Sequence, residues 1–145
     1  MKVRRLKQDE ISKSLDLVWR VFCKYEAVSY PESSKAAFWQ AIHSADYWNM
    51  LTAYGAFDDS NRLVGIIATR DEGAHIALFF VDGDYQGQGI GRKLWNAMLN
   101  DNANNKITVH SSQYAVPIYA KLGFVKTGDI QTENGITFIP MVFER

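Results

Sequence analysis

Cysteine is nearly missing from this chain, with Cys23 the single instance in 145 residues. An internal disulfide is therefore excluded, and the usage suits a reducing compartment. Excess charge of either sign is also missing: sixteen basic residues balance sixteen acidic ones, and nothing in the totals predicts a nucleic-acid or membrane partner. No apolar run approaches the roughly 20 residues of a membrane span. Met1-Lys2-Val3-Arg4-Arg5-Leu6 is basic, but Lys7-Gln8-Asp9-Glu10 follows it where a secretory signal needs an apolar region, so a cytoplasmic, soluble protein is expected. Repeats and low-complexity tracts are absent.

What is present reads as one domain over residues 1–145, long enough to bury a core without metals or cross-links. Residues 3–6 read as a first strand. Ile11, Leu15, Val18, Phe22 and Tyr25, spaced by four, three, four and three, form one face of a helix with Asp9 as its cap, and Cys23 beside that stripe is expected to be a buried, inert thiol. Tyr30-Pro31 breaks the pattern, and Ser33 or Ser34 can cap a second helix through Phe38, Trp39 and Ile42. Three strands in hairpin order follow, over residues 51–57, 63–69 and 74–81. A third helix begins at Gly89, with Ile90, Leu94, Ala97 and Met98 on its buried face. Residues 107–110 return to strand, residues 114–122 form a short helix ended by Gly123, and residues 124–130 and 135–143 close the chain as a hairpin turning at Asn134-Gly135. The order β-α-α-β-β-β-α-β-α-β-β predicts an α+β fold, a mostly antiparallel sheet with helices on its faces.

The chemistry concentrates in residues 76–99, where an apolar run ends at Val81, glycines alternate at Gly87, Gly89 and Gly91, and helical periodicity takes over. Alternating glycines let successive N–H groups turn inward, and the helix start adds unpaired donors and a positive dipole end, so the loop suits a phosphate. A nucleotide P-loop needs Lys-Ser or Lys-Thr after its last glycine, but Arg92-Lys93-Leu94 follows Gly91. A dinucleotide-binding Rossmann unit needs the loop after the first strand of a βαβ series, and three hairpin strands precede it here.

Gln86-Gly87-Gln88-Gly89-Ile90-Gly91 resembles the Arg/Gln-x-x-Gly-x-Gly/Ala signature of the GNAT acetyltransferase superfamily, placed directly after an apolar strand as in that family. Ser112-Gln113-Tyr114-Ala115-Val116-Pro117-Ile118-Tyr119-Ala120-Lys121-Leu122-Gly123-Phe124 resembles its second block, a strand end and a helix carrying Tyr and then Gly-Phe. The element order resembles the family over essentially the whole chain. The resemblance implies a GNAT-like sheet of six to seven strands with about four helices, and an N-acetyltransferase that moves an acetyl group from acetyl-coenzyme A to a primary amine by direct attack in a ternary complex. It implies that Gln86, Gly87, Gln88, Gly89, Gly91 and Arg92 hold the pyrophosphate. The strand around Phe80 and Val81 would pair its backbone with the pantetheine arm and polarise the thioester carbonyl, while Ser112 would bond that arm or cap the next helix. Tyr119 would give a proton to the departing thiolate, a sensible match because a phenol and a thiol differ by only about two pKa units.

A lysine-type amine is only about one part in a thousand neutral near pH 7.4, so a base is needed. The strand that often supplies an acid in the family reads His75-Ile76-Ala77-Leu78-Phe79-Phe80 here, without a carboxylate. Glu26, His75, His110 and a water relay are the candidates. The aromatic segment 25–48, with Tyr25, Tyr30, Phe38, Trp39, Tyr47 and Trp48, reads as core packing in which one or two rings, with Glu26 or Glu32, wall a pocket for a cationic or apolar acceptor. The turn at residues 131–135 is a second candidate for setting acceptor choice. The acceptor is expected to be a small-molecule or protein amine, no metal is expected, and pairing into a homodimer, common in the family, is left open. Two rival readings are a non-catalytic sensor of coenzyme A or an acyl form of it, and an enzyme using a longer acyl donor.

Overall fold

The computed structural model describes residues 1–133 and 135–145. After β1 (Lys2–Arg5), the expected first helix is present but broken into α1 (Gln8–Ile11), a 3-10 turn (Ser12–Ser14), α2 (Leu15–Val21), a π-helical turn (Phe22–Glu26) and a second 3-10 turn (Ala27–Ser29). Asp9 is not its cap. Lys7 holds that position, and the Glu10 carboxylate reaches back to accept from the Lys7 N–H at 2.7 Å while pairing with both terminal nitrogens of Arg4. Ile11, Val18 and Phe22 are buried as the spacing predicts, but Cys23 is exposed, which corrects the expected buried thiol. On a helix the residue directly after Phe22 points about 100° away from the apolar stripe, so the Cys23 side chain reaches solvent.

Helix α3 (Glu32–Ile42) starts at Pro31 instead of Ser33 or Ser34. Proline needs no N–H partner there, and Ser34 is put to another use, donating to the Gly135 carbonyl at 2.8 Å and accepting from the Thr137 N–H at 3.0 Å. A short α4 (Ala45–Asn49) follows. Then come the three expected strands β2 (Thr52–Phe57), β3 (Leu63–Arg70) and β4 (His75–Val81), helix α5 (Ile90–Asn100), β5 (Lys106–Ser111) and α6 (Val116–Leu122). The C-terminal strands are β6 (Val125–Lys126), β7 (Gln131–Glu133) and β8 (Ile136–Glu144). The closing hairpin therefore differs from expectation. Gln131 to Glu133, expected as a turn, pair with Phe138 to Ile136, and only two residues of the 124–130 run form a strand. Strand β8 is long enough to serve β7 with its first residues and β5 and β6 with the rest, so no single partner matches its length. Asn134, half of the expected turn pair, lies outside the described residues.

The described strands form one eight-stranded sheet in the order β1-β2-β3-β4-β5-β8-β6, with β7 on β8. One face packs Leu78, Phe80 and Ile66 under α2 and α3, against Val18, Phe22 and Ile42. The other packs Ile76, Ile67 and Ile107 under α5, against Leu94, Trp95 and Met98. Ile76 and Leu78 have the same strand parity yet serve opposite faces. A register slip explains this, because Ala68 pairs Leu78 while Thr69 pairs Ile76, which leaves Ala77 as the extra residue of a bulge.

The pairing of β4 with β5 positions the site. It is parallel and lasts for two pairs, His75↔Thr108 and Ile76↔Val109. Beyond them the strands separate, β4 staying with β3 as far as Gly65↔Val81 and β5 staying with β8. The sheet opens as a wedge.

Candidate active site

The glycine loop sits at the open end of that wedge. Asp82 ends β4: its N–H still donates to the Val64 carbonyl at 2.8 Å, and its carboxylate accepts from the Asp84 N–H at 3.0 Å and pairs with Arg20 at 2.8 Å. Gly87 and Gly89 have φ of +78° and +80°, and a Cβ on either would meet no atom within 4 Å. Conformation, not crowding, is what demands glycine at these two positions. Gly89 caps the eleven-residue α5, whose first N–H groups and dipole end face the loop.

A cavity of about 240 Å³ joins this loop to the wedge. Of the residues expected to bind the cofactor, Phe80, Val81, Gln86, Gly87, Gly89 and Gly91 line it, whereas Gln88 and Arg92 are exposed outside its lining. Arg92 donates to the Lys121 carbonyl at 3.2 Å, and Gln88 to the Asp84 carbonyl at 3.5 Å. Because the Asp82 N–H points to β3, strand alternation turns the backbone groups of Phe80 to β3 as well and those of Phe79 and Val81 into the wedge. Phe80 thus comes to the site as a side chain, Val81 offers its backbone, and Phe79 offers its backbone together with a ring beside Tyr119. The Gln86 amide caps the Val81 carbonyl at 3.0 Å. Tyr114 and Ile118, large side chains at 40% and 44% exposure, stand at the same cavity, an apolar surface suited to covering a bound molecule. An extended chain ending in a phosphate fits this combination of open strand edge, glycine loop and helix start.

A second cavity, about 470 Å³, is lined from β4, β5, β8 and the helical segments 22–50. Glu26, Phe79, Phe80 and Tyr119 line both, so the two meet at these four residues. The second is walled by Phe22, Tyr30, Phe38, Tyr47 and Phe138, so of the aromatic segment Tyr30, Phe38 and Tyr47 face this pocket and Tyr25 faces the first. Trp48 is core instead, donating to the Ile42 carbonyl at 2.7 Å, and Trp39 lies outside, edge-on to Trp19 and tilted against His43. Glu32 is exposed and pairs with Lys35.

The π turn carries Glu26 to both cavities. Its carboxylate accepts a hydrogen bond from the Ser112 hydroxyl at 2.7 Å, and burial pushes its pKa up to about 7 against the opposing pull of that bond. Ser112 is itself buried and accepts from the Ala115 N–H at 3.2 Å, so it caps the approach to α6. Its hydroxyl hydrogen goes to Glu26. Tyr119 is buried on α6 with its ring edge-on to Phe79 and Phe124. Burial, then the charges of Glu26 and Tyr30, hold its phenol well above its ordinary pKa, so it keeps its proton. Pro117 lies in the first turn of α6, where its missing N–H costs nothing.

His75 and His110 line the second cavity edge to face, with ring centroids 4.5 Å apart. His75 bonds Thr108 Oγ1 at 2.8 Å, and burial, then Arg70 and His110, push it down to about 3. His110 stacks on Phe138 and is lowered mainly by burial. Glu133, from the region expected as a turn, and Ile136, from the strand after it, also reach this cavity. Among the described residues no group of three or more His, Cys, Asp or Glu could hold a metal, and no helix is long and apolar enough to cross a membrane.

A family model for the acetyltransferase (GNAT) domain matches residues 23–145. A UPF0039 protein of Schizosaccharomyces pombe is 34% identical over 84 residues, 54% of this chain, and the match spans 56%, about half, of that protein. A GCN5-related N-acetyltransferase from Rhodopseudomonas palustris superposes with a TM-score of 0.82 at 19% identity, over 99% of this chain and 95% of that one. The PaiA N-acetyltransferase of Thermoplasma acidophilum, solved in complex with coenzyme A, superposes with a TM-score of 0.69 at 18% identity over 100% of both chains. The fold and the domain match define an acetyltransferase (GNAT) domain. The chain belongs to the GNAT acetyltransferase family.

Proposed function

We propose that the protein transfers an acetyl group to a primary amine by direct attack, with Glu26 as general base and Tyr119 as general acid. The observation that carries this is the meeting of two cavities at Glu26, Phe79, Phe80 and Tyr119, one running to the glycine loop and the other walled by aromatic rings. Acetyl-coenzyme A supplies the activated acetyl thioester. Gly87, Gly89 and the start of α5 bind its phosphates, and the Phe79 and Val81 backbone orients its arm, with an N–H of that edge polarising the carbonyl.

An ammonium loses two protons on becoming an amide. One goes to solvent, and Glu26 takes the other as the N–C bond forms and the C–S bond breaks. Tyr119 gives its proton to the sulfur, and return of the proton from Glu26 restores both groups. With a pKa of about 7, Glu26 is ionised in enough molecules to act and basic enough to be useful. The two groups are coupled, because the negative charge of Glu26 raises the Tyr119 pKa. Proton uptake by Glu26 removes that charge and makes the phenol a better acid when the sulfur needs its proton. His75, held neutral to about pH 3, is too weak a base for this task.

The second cavity takes the acceptor, and its aromatic walls favour an amine on an apolar or aromatic body. The test is thiol release from acetyl-coenzyme A across a panel containing phenethylamine, spermidine, lysine and lysine peptides. Acetylation of at least one member is expected, and Tyr119→Phe should lower its turnover about 10²-fold or more while coenzyme A binding persists. Absence of transfer to every amine, or full turnover by the Phe variant, refutes the reading.

A further inference from the structure

We infer that Ser112 is a positioning residue for Glu26, holding its carboxylate at the junction of the two cavities, and is not a ligand of the pantetheine arm. The inference rests on the reading of Glu26 as base. Ser112 is 3% exposed, lines the aromatic-walled cavity and not the one at the glycine loop, and has its hydroxyl committed on both sides. It donates to Glu26 Oε1 at 2.7 Å and accepts from the Ala115 N–H at 3.2 Å. The chain separation is 86 residues, so this bond ties the π turn to the start of the segment carrying Tyr119. One hydroxyl thereby places the base on one side and the helix of the acid on the other.

The bond also tunes the base. A hydroxyl donating to a carboxylate stabilises the ionised form, opposing the burial that raises the Glu26 pKa. Other groups face the same space. Tyr30, Tyr114 and Tyr119 are phenols raised by burial first and also by the Glu26 charge, so they are neutral through the range in which Glu26 titrates. Tyr25 lines the glycine-loop cavity, and Tyr47, Arg70, His75, His110 and Glu133 line the aromatic one. His75, pushed down to about 3 mainly by burial, stays neutral as Glu26 ionises, and His110 is lowered, mainly by burial.

The test needs no acceptor. In protein labelled with carbon-13 at the glutamate side-chain carboxyl, the resonance lost in Glu26→Gln identifies Glu26, and its shift is followed against pH. In the native chain it should titrate near 7, in Ser112→Ala about one pH unit higher, and in Ser112→Thr, which keeps the hydroxyl, at the native value. Calorimetric titration of the same variants with coenzyme A should give unchanged affinity. Melting curves show whether Ser112→Ala is folded, and if it is not, the bond is tested in Ser112→Cys, whose weaker donor should raise the Glu26 pKa partway. A Glu26 titration that Ser112→Ala leaves unmoved, or a tenfold loss of coenzyme A affinity in that variant, overturns the inference. A native Glu26 that titrates near 4.5, or a Glu26→Gln variant with full turnover of phenethylamine, would instead refute the base assignment, so the two failures are distinguishable.

Discussion

Glu26 is where single-residue chemistry and stability pull against each other. Its pKa is about 7 in the folded chain because burial penalises the charge, against an ordinary 4.5. The folded state therefore holds this proton more tightly than the unfolded state. Between those two values rising pH strips the unfolded chain first, so stability falls as pH climbs towards 7 and stays lower above it. Glu26→Gln removes the charge and keeps the shape. Denaturant melts should show the variant more stable than the native chain by about 1–3 kcal/mol at pH 8, with the difference vanishing near pH 4. The same substitution should lower kcat about 10²-fold or more with any amine the enzyme accepts. Equal stability at pH 8 would show that burial of the carboxylate is not costly. Sequence reasoning named Glu26 only as one of three residues and water, since a glutamate beside aromatic residues has no local signature of burial. Its partner Ser112 stands 86 residues away, and no pattern along the chain relates the two.

The glycine loop shows the opposite case, an element whose geometry is legible locally. Alternate glycines, a strand before them and helical periodicity after them are all short-range features, and the backbone adopts the expected geometry with φ of +78° at Gly87 and +80° at Gly89. Gly91 differs, since a Cβ there would lie 3.7 Å from Phe79 Cζ, an ordinary contact. Gly89→Ala should accordingly cost about 1–2 kcal/mol of stability and weaken coenzyme A binding, whereas Gly91→Ala should melt close to the native temperature. Equal melting of the two variants would remove the conformational argument. The helical elements near the N-terminus were less legible. The apolar stripe from Ile11 to Phe22 locates the buried face correctly, but the change from α to π geometry at Phe22, which carries Glu26 to the cavities, has no sequence signal. The closing hairpin went wrong for a related reason, because β8 shares its length among three neighbours that lie apart in sequence.

For the molecule as a whole, the decisive feature is the separation of β4 from β5 after two residue pairs. A sheet that stops pairing in its middle leaves backbone groups at an open edge, and a ligand that bridges the loop and the wedge ties its two halves together. Coenzyme A at a hundredfold excess over its Kd should stabilise the fold by about 2.7 kcal/mol, read as a rise in Tm, and inorganic pyrophosphate, which reaches only the loop, should give less. An equal rise with both would place the whole binding energy in the loop. The amino-acid sequence by itself determined the class of fold, the glycine loop between β4 and α5, the Tyr119 helix and most strand positions, because hydrophobic period, glycine geometry and turn chemistry act over a few residues. Only the tertiary structure decided which carboxylate meets Tyr119, which aromatic rings face a cavity and what Ser112 holds. Those relations depend on how far apart two strands stand and how a helix is wound, and both are set by packing between segments that are distant along the chain.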